Sequence, residues 1–406
     1  MAKSTMPLRS SSSSSAQKPL RIAIFTEVFL PKIDGVVTTL LQTIKQLRES
    51  GHEVLVIAPG NPPKEYLGAK VVAIQSVPFK PWYPEIQVGL PVPKIGRVLK
   101  KFKPDVVHAV SPLMLGAWGL MHAYQQRIPI VASYHTDIPQ YTDALGLGIL
   151  HRPAKHWMMA LHNRADVNLC PSIPLIETAR RDGMQRVRLW PGAVDTHLFN
   201  PSRYSAEMRN RLTDGNPDTP LVISVGRLSK EKCLDELIPT MKLLPEARIA
   251  FVGTGPYEEE LKQHFKDLPA TFVGLMRGEE LATAFASADV FAFPSTTDTL
   301  GLVSLESMAA GVPVVGARAG GIPDTIKHGE TGFLFEPTNH KEFAGYLGEI
   351  LHDETKRKEM SEAARKDALG RSWTAATDVV LKAYDDAINR CHLRTVDDMV
   401  AHLPVI

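Results

Sequence analysis

The sequence predicts an α/β protein with two doubly wound, Rossmann-like domains that face each other across a central cleft. Three observations lead to this fold class. Short apolar runs alternate with amphipathic helical stretches, they do so in two separate series, and 406 residues are enough for about two domains. A polar stretch at residues 209–220, with Asp-Gly and Asn-Pro turn signals, separates the two series.

The first series supplies the strands of the first predicted sheet. The apolar run at residues 21–25 predicts a buried strand, and the turn at Asp34-Gly35 leads into an amphipathic helix over residues 36–49. The same alternation predicts further parallel strands at residues 53–58, 71–74, 106–109, 130–134 and 167–170.

The second series supplies a second sheet, with strands predicted at residues 221–225, 248–252, 271–273, 290–292 and 312–315. A long helix follows over residues 373–388. We therefore divide the chain into a disordered leader at 1–18, a first domain at 19–205, a second domain at 206–372 and a helical segment at 373–406 that we expect to pack back toward the first domain. The leader is polar and Ser-rich and lacks the apolar core of a signal peptide.

The composition is that of a soluble globular protein, with 44% hydrophobic and 22% charged residues. No apolar run approaches the roughly 20 residues that span a bilayer. The three cysteines, Cys170, Cys233 and Cys391, are widely spaced and odd in number. This pattern favours a reducing compartment and argues against a thiolate metal site, and no other cluster has metal-ligand spacing.

The charge is divided unevenly between the two halves of the chain. Residues 1–200 carry 23 Lys and Arg against 13 Asp and Glu, a net charge of +10, and residues 201–406 carry 23 against 31, a net charge of −8. A basic half indicates contact with an anionic surface, and membrane headgroups, nucleic acid and an anionic substrate are all candidates. No basic and aromatic recognition motif accompanies the basic half, so nucleic acid is the least favoured.

Two segments combine aromatic and basic side chains as membrane-surface segments do. One is residues 78–103, which include Trp82 among several lysines, and the other is residues 151–164, which include Trp157, Arg152 and Lys155. The alternative for each segment is an ordinary amphipathic helix that packs on its own sheet.

The segment 297–306 carries the strongest chemical signal. Asp298 and Glu306 stand eight positions apart across an apolar link that contains Gly301, and the pattern predicts a loop running into a helix. A helix start binds anions, and carboxylates accept hydrogen bonds from hydroxyls. A nucleotide sugar, which has a diphosphate between two sets of hydroxyls, fits this layout. The alternative is a surface helix with two solvated acids.

Cations follow the first strand of the second predicted sheet. Arg227 and Lys232 lie in a loop that should face the cleft and are able to converge on a diphosphate, although two solvated cations are the alternative. Gly35 allows backbone to approach the same diphosphate from the first domain. His135 ends a strand and should point into the cleft, where it can donate a hydrogen bond or help to move a proton. The absence of GxGxxG after the first strand counts against a dinucleotide site.

Taken together, these segments resemble the family-4 retaining glycosyltransferases of GT-B architecture. The resemblance runs from about residue 21 to about residue 388 and is carried by Asp34-Gly35-Val36 and by residues 104–108, 226–232, 253–256 and 298–306. A narrower resemblance, to the sulfoquinovosyltransferases of plants and cyanobacteria, is carried by residues 133–136, 189–195, 243–251, 299–303 and 317–324. Those enzymes transfer sulfoquinovose from its UDP derivative to diacylglycerol.

The resemblance implies a role for each candidate residue, and it implies catalysis through His135, Arg227, Lys232 and Asp298 without a metal or cofactor. The diphosphate would contact Arg227, Lys232, Gly35 and the backbone N–H groups of Leu302 and Val303. Glu306 would bind the ribose, and Leu275 and Met276 would contact uracil through their backbone. The sugar would contact Asp298, the backbone of Leu300 and Gly301, and, at its C6 end, His135. The family usually has Glu at the position of Asp298, and Lys155 and Arg152 are further candidates for the sulfonate.

The resemblance also implies partners and a location. The first domain would bind diacylglycerol in an anionic membrane, the second would bind UDP-sulfoquinovose, and the protein would be cytoplasmic and peripherally attached to the cytoplasmic or thylakoid membrane. Three alternatives stay open: another family-4 transferase that makes glucosyl- or galactosyl-diacylglycerol or a mannosyl phospholipid, a non-catalytic sugar-nucleotide-binding protein, and a sugar-nucleotide epimerase.

Overall fold

The structure is a computed structural model that describes residues 18–79, 83–135 and 148–401. The predicted leader, apart from residue 18, lies outside the described residues, and so do residues 80–82 of the first membrane-surface segment. Side chains are not described at 79, 83–86 and 393–401.

Strands and helices alternate through most of the described chain. The strands are β1 Arg21–Thr26, β2 Glu53–Pro59, β3 Glu65–Tyr66, β4 Ala69–Ile74, β5 Ser76–Phe79, β6 Tyr83–Gly89, β7 Val106–Val110, β8 Ile130–Ser133, β9 Val167–Cys170, β10 Val187–Leu189, β11 Leu221–Val225, β12 Arg248–Val252, β13 Ala270–Gly274, β14 Val290–Phe293, β15 Val314–Ala317 and β16 Gly332–Phe335. The helices are α1 Gly35–Glu49, α2 Lys94–Phe102, α3 Leu115–Gln125, α4 His151–His162, α5 Ile173–Arg181, α6 Ala206–Leu212, α7 Leu237–Met241, α8 Glu258–His264, α9 Gly278–Ala286, α10 Leu302–Ala309, α11 His340–His352, α12 Glu354–Leu369 and α13 Trp373–Ala401.

Two separate parallel sheets confirm the predicted fold class. The N-terminal sheet has the strand order β10-β9-β8-β7-β1-β2-β4-β3, in which only β3 is antiparallel to its neighbour. The C-terminal sheet has the order β13-β12-β11-β14-β15-β16 and is parallel throughout. Strand order reverses between β1 and β7 in the first sheet and between β11 and β14 in the second. Open α/β sheets bind ligands outside the carboxyl ends of their strands at such switch points.

Helix α13 packs against the N-terminal sheet although it follows the C-terminal one. Ala376, Val380 and Tyr384 are buried in the same hydrophobic core as Ile22 and Val106 of β1 and β7. Tyr384 also contacts His108 Nδ1 through its hydroxyl at 2.9 Å. The chain therefore crosses between the two domains a second time before this helix.

The structure differs from the sequence-based prediction in a few elements. Strands β5 and β6 form an antiparallel pair that the prediction lacks, as it lacks β16. The strand predicted at 312–315 begins instead at Val314, because the Val312 N–H bonds back to Ser307 O at 3.0 Å and closes a turn. Helix α13 continues past the predicted residue 388. Within the described ranges, no helix has the length and apolar character needed to cross a bilayer.

Candidate active site

The starts of two helices face each other at the cleft. Helix α1 begins at Gly35, where Asp34 Oδ1 accepts a hydrogen bond from the Val37 N–H at 2.9 Å. A Cβ atom placed on Gly35 would lie 3.6 Å from Leu302 Cδ1, at the start of α10 in the other domain. Both helix starts carry positive dipole ends and N–H groups without intrahelical acceptors, so the space beside them favours an anion.

Gly301 sets the direction in which α10 begins. Its φ of 74° is in the left-handed region, which glycine adopts without steric cost. A Cβ here would also meet the Phe293 ring at 3.1 Å. The N–H groups of Leu302 and Val303 belong to the first turn that follows and have no acceptor inside the helix. A glycine at this position thus lets a sharp turn present those two amides.

Lys232 and Asp298 form an ion pair at the centre of the site. Lys232 Nζ lies 2.9 Å from both carboxylate oxygens of Asp298, and the two side chains are 23% and 21% exposed. Lys232 ends a 3₁₀ turn after β11, and Asp298 follows β14, the neighbouring strand at the switch point. Half-buried Arg227 lies in the same β11 loop as Lys232. The structure therefore brings together a cation and an acid that the sequence separates by 66 positions.

Backbone packing fixes the loop that carries Arg227. The Leu228 N–H donates to Thr254 O at 3.0 Å, and the Gly226 N–H donates to Val252 O at 3.0 Å. A Cβ atom on Gly253 would lie only 1.8 Å from Gly226 O. The turn after β12 therefore supports the β11 loop from behind through direct backbone contact.

The segment from Asp298 to Leu300 is supported in the same way. The Gly321 N–H donates to Asp298 O at 2.7 Å. A Cβ atom on Gly321 would lie 2.1 Å from Thr299 O. The loop after β15 thus holds the Asp298 backbone in place.

Glu306 is the second acid of the segment and lies in the second turn of α10. Its side chain is half-buried, and in the described part of the chain it makes no hydrogen bond or ion pair to another residue. Burial raises the pKa of Glu306 to about 8. A carboxyl group without a protein partner among the described residues has hydrogen-bonding capacity left for a ligand hydroxyl.

His135 lies at the edge of the N-terminal domain, 8% exposed, with its ring against Trp190 at 5.1 Å. Burial, with a smaller contribution from His162, lowers the pKa of His135 to about 4. The imidazole is therefore neutral at physiological pH and offers a hydrogen bond without a charge. His108 is buried between Tyr384 and Ser133, which is a packing role.

The predicted base-contact residues follow β13. Leu275 is 54% exposed, whereas Met276 is 3% exposed and belongs to the core of the C-terminal domain. The Met276 side chain is consequently turned away from solvent, and a ligand would meet the backbone of this residue.

The sulfonate candidates on α4 are less well placed. Lys155 forms an ion pair with Asp182, which follows the last turn of α5 and so lies at the end of that helix opposite the cleft. Lys155 is therefore not a cleft cation, because its charge is directed at a surface partner. Arg152 is exposed in the first turn of α4.

Glu27, which follows β1 at the cleft edge, was not predicted from the sequence. Its carboxylate accepts hydrogen bonds at 2.9 to 3.2 Å from the backbone N–H groups of residues 113–116, at the start of α3. Burial raises its pKa, and the backbone bonds oppose that shift. An acid directly after a buried strand was the available signal. Among the described residues, no group of three His, Cys, Asp or Glu side chains is arranged to hold a metal ion.

Helices α2, α3 and α4 form a basic-apolar face on the N-terminal domain. Exposed cations on α2 (Lys94, Arg97, Lys100 and Lys101) lie beside α3, since Gly96 packs against the His122 ring. Met121 and Tyr124 of α3 are 41% and 49% exposed, and Trp157 of α4 is 47% exposed with its Nε1 donating to Leu113 O at 3.0 Å. This face combines the side-chain types that suit a bilayer interface.

Two family models match the chain, one in each domain. The model for Glycosyltransferase Family 4 matches residues 33–198, and the model for Glycosyl transferases group 1 matches residues 210–367. Among curated proteins, the chain is 42% identical to the sulfoquinovosyl transferase SQD2 of Arabidopsis thaliana over 89% of this chain and 73% of that relative. It is 36% identical to a GDP-mannose-dependent alpha-mannosyltransferase of Mycobacterium tuberculosis over 90% and 96% of the two lengths.

A solved structure has the same architecture. Anabaena Alr3699/HepE in complex with UDP and glucose superimposes with a TM-score of 0.74 at 20% identity, over 90% of this chain and 99% of that one. That likeness shows the GT-B fold, and the curated relatives show the enzyme class. The chain belongs to the family-4 glycosyltransferases of GT-B architecture.

Proposed function

We propose that the protein transfers sulfoquinovose from UDP-sulfoquinovose to diacylglycerol, with retention of anomeric configuration, at an anionic membrane. The observation that carries this proposal is the Lys232–Asp298 ion pair beside the facing starts of α1 and α10, with Glu306 in the second turn of α10. The choice of sugar is supported by the 42% identity to a sulfoquinovosyl transferase over 89% of the chain.

The diphosphate binds between the two helix starts. Lys232 and Arg227 neutralise its charge, and the backbone at Gly35, Leu302 and Val303 approaches it. This arrangement also favours departure of UDP from the sugar. UDP gains negative charge as its bond to the sugar breaks, and the cations and helix starts stabilise that charge. Electrostatic stabilisation of the leaving group is the main contribution that these residues make to the rate.

The two carboxyl groups bind opposite ends of the donor. Glu306 accepts hydrogen bonds from the ribose hydroxyls, and the backbone at Leu275 and Met276 contacts the uracil. Asp298 accepts hydrogen bonds from the sugar hydroxyls, and the backbone N–H groups of Leu300 and Gly301 donate to the sugar oxygens. Neutral His135 donates a hydrogen bond near the C6 end of the sugar.

Retention follows from attack on the same face that the diphosphate leaves. The acceptor hydroxyl oxygen forms a bond to the anomeric carbon as the bond from that carbon to the diphosphate oxygen breaks. The acceptor proton passes to the departing diphosphate oxygen, so no side chain has to remove it. The protein supplies orientation and charge stabilisation to this step.

The acceptor enters from the side of the N-terminal domain. The basic-apolar face supports binding to anionic lipid headgroups, at about 1 kcal/mol for each cation near the surface. We place the protein in the cytoplasm, peripherally attached to the cytoplasmic or thylakoid membrane.

A second candidate is transfer of mannose from GDP-mannose to a phospholipid. It is favoured by the 36% identity to the mycobacterial mannosyltransferase, which aligns over nearly its full length. Both candidates use the same diphosphate and carboxylate contacts, so the base and the sugar distinguish them. Glucosyl or galactosyl transfer to diacylglycerol is a third possibility of the same kind.

The test incubates purified protein with vesicles that contain diacylglycerol. Parallel reactions each receive one donor: UDP-sulfoquinovose, UDP-glucose, UDP-galactose or GDP-mannose. We expect a sulfoquinovosyl lipid with the α configuration of the donor, measured by mass spectrometry and by NMR of the anomeric proton. Faster turnover of another donor would replace the proposed sugar, and an inverted product would overturn retention. Binding of UDP without any transfer would favour a non-catalytic sugar-nucleotide-binding protein.

A further inference from the structure

A hydrogen bond crosses between the two domains next to the candidate sugar-binding group. Thr299 Oγ1 donates to the backbone carbonyl of His135 at 2.7 Å. Thr299 immediately follows Asp298 in the C-terminal domain, and His135 lies just after β8 in the N-terminal domain. One hydroxyl therefore joins the segment that carries the sugar-binding acid to the segment that carries the cleft histidine.

Apolar packing surrounds this hydrogen bond. A Cβ atom on Gly192 of the N-terminal domain would lie 2.9 Å from Leu300 Cδ1, so Leu300 packs directly on that backbone. Trp190, two residues earlier, packs against the His135 ring with centroids 5.1 Å apart. Two consecutive residues of the C-terminal domain, Thr299 and Leu300, thus contact the N-terminal domain at adjoining points.

Both ends of the bond are anchored in their own domains. The Thr299 segment is held from behind by Gly321, and its neighbour Asp298 is paired with Lys232. On the other side, the His135 N–H donates to Ser111 Oγ at 3.3 Å, which ties it to the end of β7. A second hydrogen bond between the domains runs from the Ile173 N–H, at the start of α5, to the Asp324 carboxylate.

We propose that Thr299 is a positioning residue for glycosyl transfer. Its hydroxyl holds the Asp298 segment and the His135 segment at a fixed separation, so that the sugar bound by one domain meets the acceptor presented by the other. The role rests on donor binding in this cleft and does not depend on which sugar is transferred. Loss of the bond lowers the rate of the transfer step and changes nucleotide binding little, because all the proposed nucleotide contacts except the Gly35 backbone lie in the C-terminal domain.

The test compares Thr299→Val, Thr299→Ser and Thr297→Val. Valine has nearly the same shape but no hydroxyl, and serine keeps the hydroxyl. Thr297 is a matched control in the same loop, since its Oγ1 donates to Glu231 O at 3.2 Å within the C-terminal domain. We expect Thr299→Val to lower kcat by about 3- to 10-fold with UDP affinity within about twofold of the parent. Thr299→Ser and Thr297→Val should keep kcat within about twofold.

A second measurement does not require turnover. Hydrogen–deuterium exchange should become faster in both residues 130–135 and residues 298–302 of Thr299→Val. In Thr297→Val, exchange should not become faster in both segments. The proposal is overturned if Thr299→Val behaves like Thr297→Val in both measurements, if Thr299→Ser is as impaired as valine, or if UDP affinity falls with kcat. A parent protein that transfers none of the tested sugars would instead overturn the proposed function, and the exchange measurement would still test the contact.

Discussion

The two walls of the cleft are built differently. The C-terminal wall consists of loops that support one another through backbone contacts, at Gly253 against Gly226 and at Gly321 against Thr299. The N-terminal wall consists of the start of α1 and the His135 ring, which packs on Trp190, and the same domain carries the basic-apolar face. Backbone contacts leave the C-terminal wall little freedom, so this wall is suited to a ligand that binds in one defined conformation. The exposed side chains of the basic-apolar face are able to adapt, which suits a lipid with variable chains.

The largest loss of activity is expected from breaking the Lys232–Asp298 ion pair on the C-terminal wall. Lys232→Ala removes a charge from the proposed diphosphate site and takes away the ion-pair partner of Asp298. We expect kcat/KM to fall by about 10²- to 10³-fold, the range seen when one group that stabilises transition-state charge is removed. The matched control is Lys230→Ala in the same loop, where exposed Lys230 pairs with Glu260 at 3.1 Å. Equal losses in the two variants would contradict a local role for Lys232.

Replacing a tightly packed glycine should also distort the C-terminal wall. Gly253→Ala places a methyl group 1.8 Å from Gly226 O at a φ of 144°, so the β11 loop must move. We expect a loss of about 3 kcal/mol or more in the free energy of unfolding and a ~100-fold loss of activity. Thermal unfolding and steady-state kinetics measure both. Gly345→Ala is the control, because an added Cβ there has no atom within 4 Å apart from its own helix backbone, and it should change the free energy of unfolding by at most about 1 kcal/mol.

On the basic-apolar face of the N-terminal domain, a charge reversal should weaken binding to anionic membranes. Lys100→Glu with Lys101→Glu replaces two exposed cations of α2 with anions. Because each cation contributes about 1 kcal/mol near an anionic surface, binding to vesicles with anionic lipid should fall by at least ~30-fold. Sedimentation with vesicles measures this. The control, Lys358→Glu with Lys366→Glu on α12, has the same net charge and should bind like the parent protein; an equal loss there would indicate a nonspecific charge effect.

The pH dependence of nucleotide binding should report on Glu306. With its pKa raised to about 8, the carboxyl group is mainly protonated below that pH and ionised above it. Ribose hydroxyls donate to the ionised form, so parent affinity for UDP should rise about tenfold between about pH 6 and about pH 8. Glu306→Gln does not titrate there. Calorimetry of both proteins separates this effect from ionisation of UDP, and a constant affinity ratio would show that Glu306 does not bind the ribose.

The smallest effect is expected from lengthening the sugar-side acid. Asp298→Glu adds one methylene, which alters the distance to the sugar hydroxyls and keeps a carboxylate for Lys232. We expect the KM for the sugar donor to change by about threefold while UDP affinity stays within about twofold of the parent. Competition of UDP with the donor measures both values. A parallel change in UDP affinity would place Asp298 on the nucleotide instead.

The sequence predicted most of what local pattern determines. The strands Leu221–Val225, Arg248–Val252 and Val167–Cys170 were predicted with the observed bounds, since uninterrupted apolar runs mark buried parallel strands. The β5–β6 pair was missed because Pro78 and Pro84 interrupt its pattern. The pairing of Lys232 with Asp298 depends on neighbouring strands at a switch point, so only the fold reveals it.

Contacts between the domains were not predictable at all. The hydrogen bond from Thr299 to His135 joins residues 164 positions apart, and neither residue type signals it. The same holds for the pKa of Glu306, which reflects burial created by the packing around α10. The sequence indicates which side chains carry chemistry, whereas their partners and electrostatics come from tertiary structure.

The path of α13 has a consequence for how the protein is made. Tyr384 completes the N-terminal core and contacts His108, which precedes it by 276 positions. During synthesis, domains usually fold in the order in which they emerge from the ribosome. Here the first sheet emerges with a gap in its core and keeps apolar surface exposed until α13 is translated. We therefore expect the nascent N-terminal domain to depend on chaperones, and the domain that emerges first to be the last to reach its final stability.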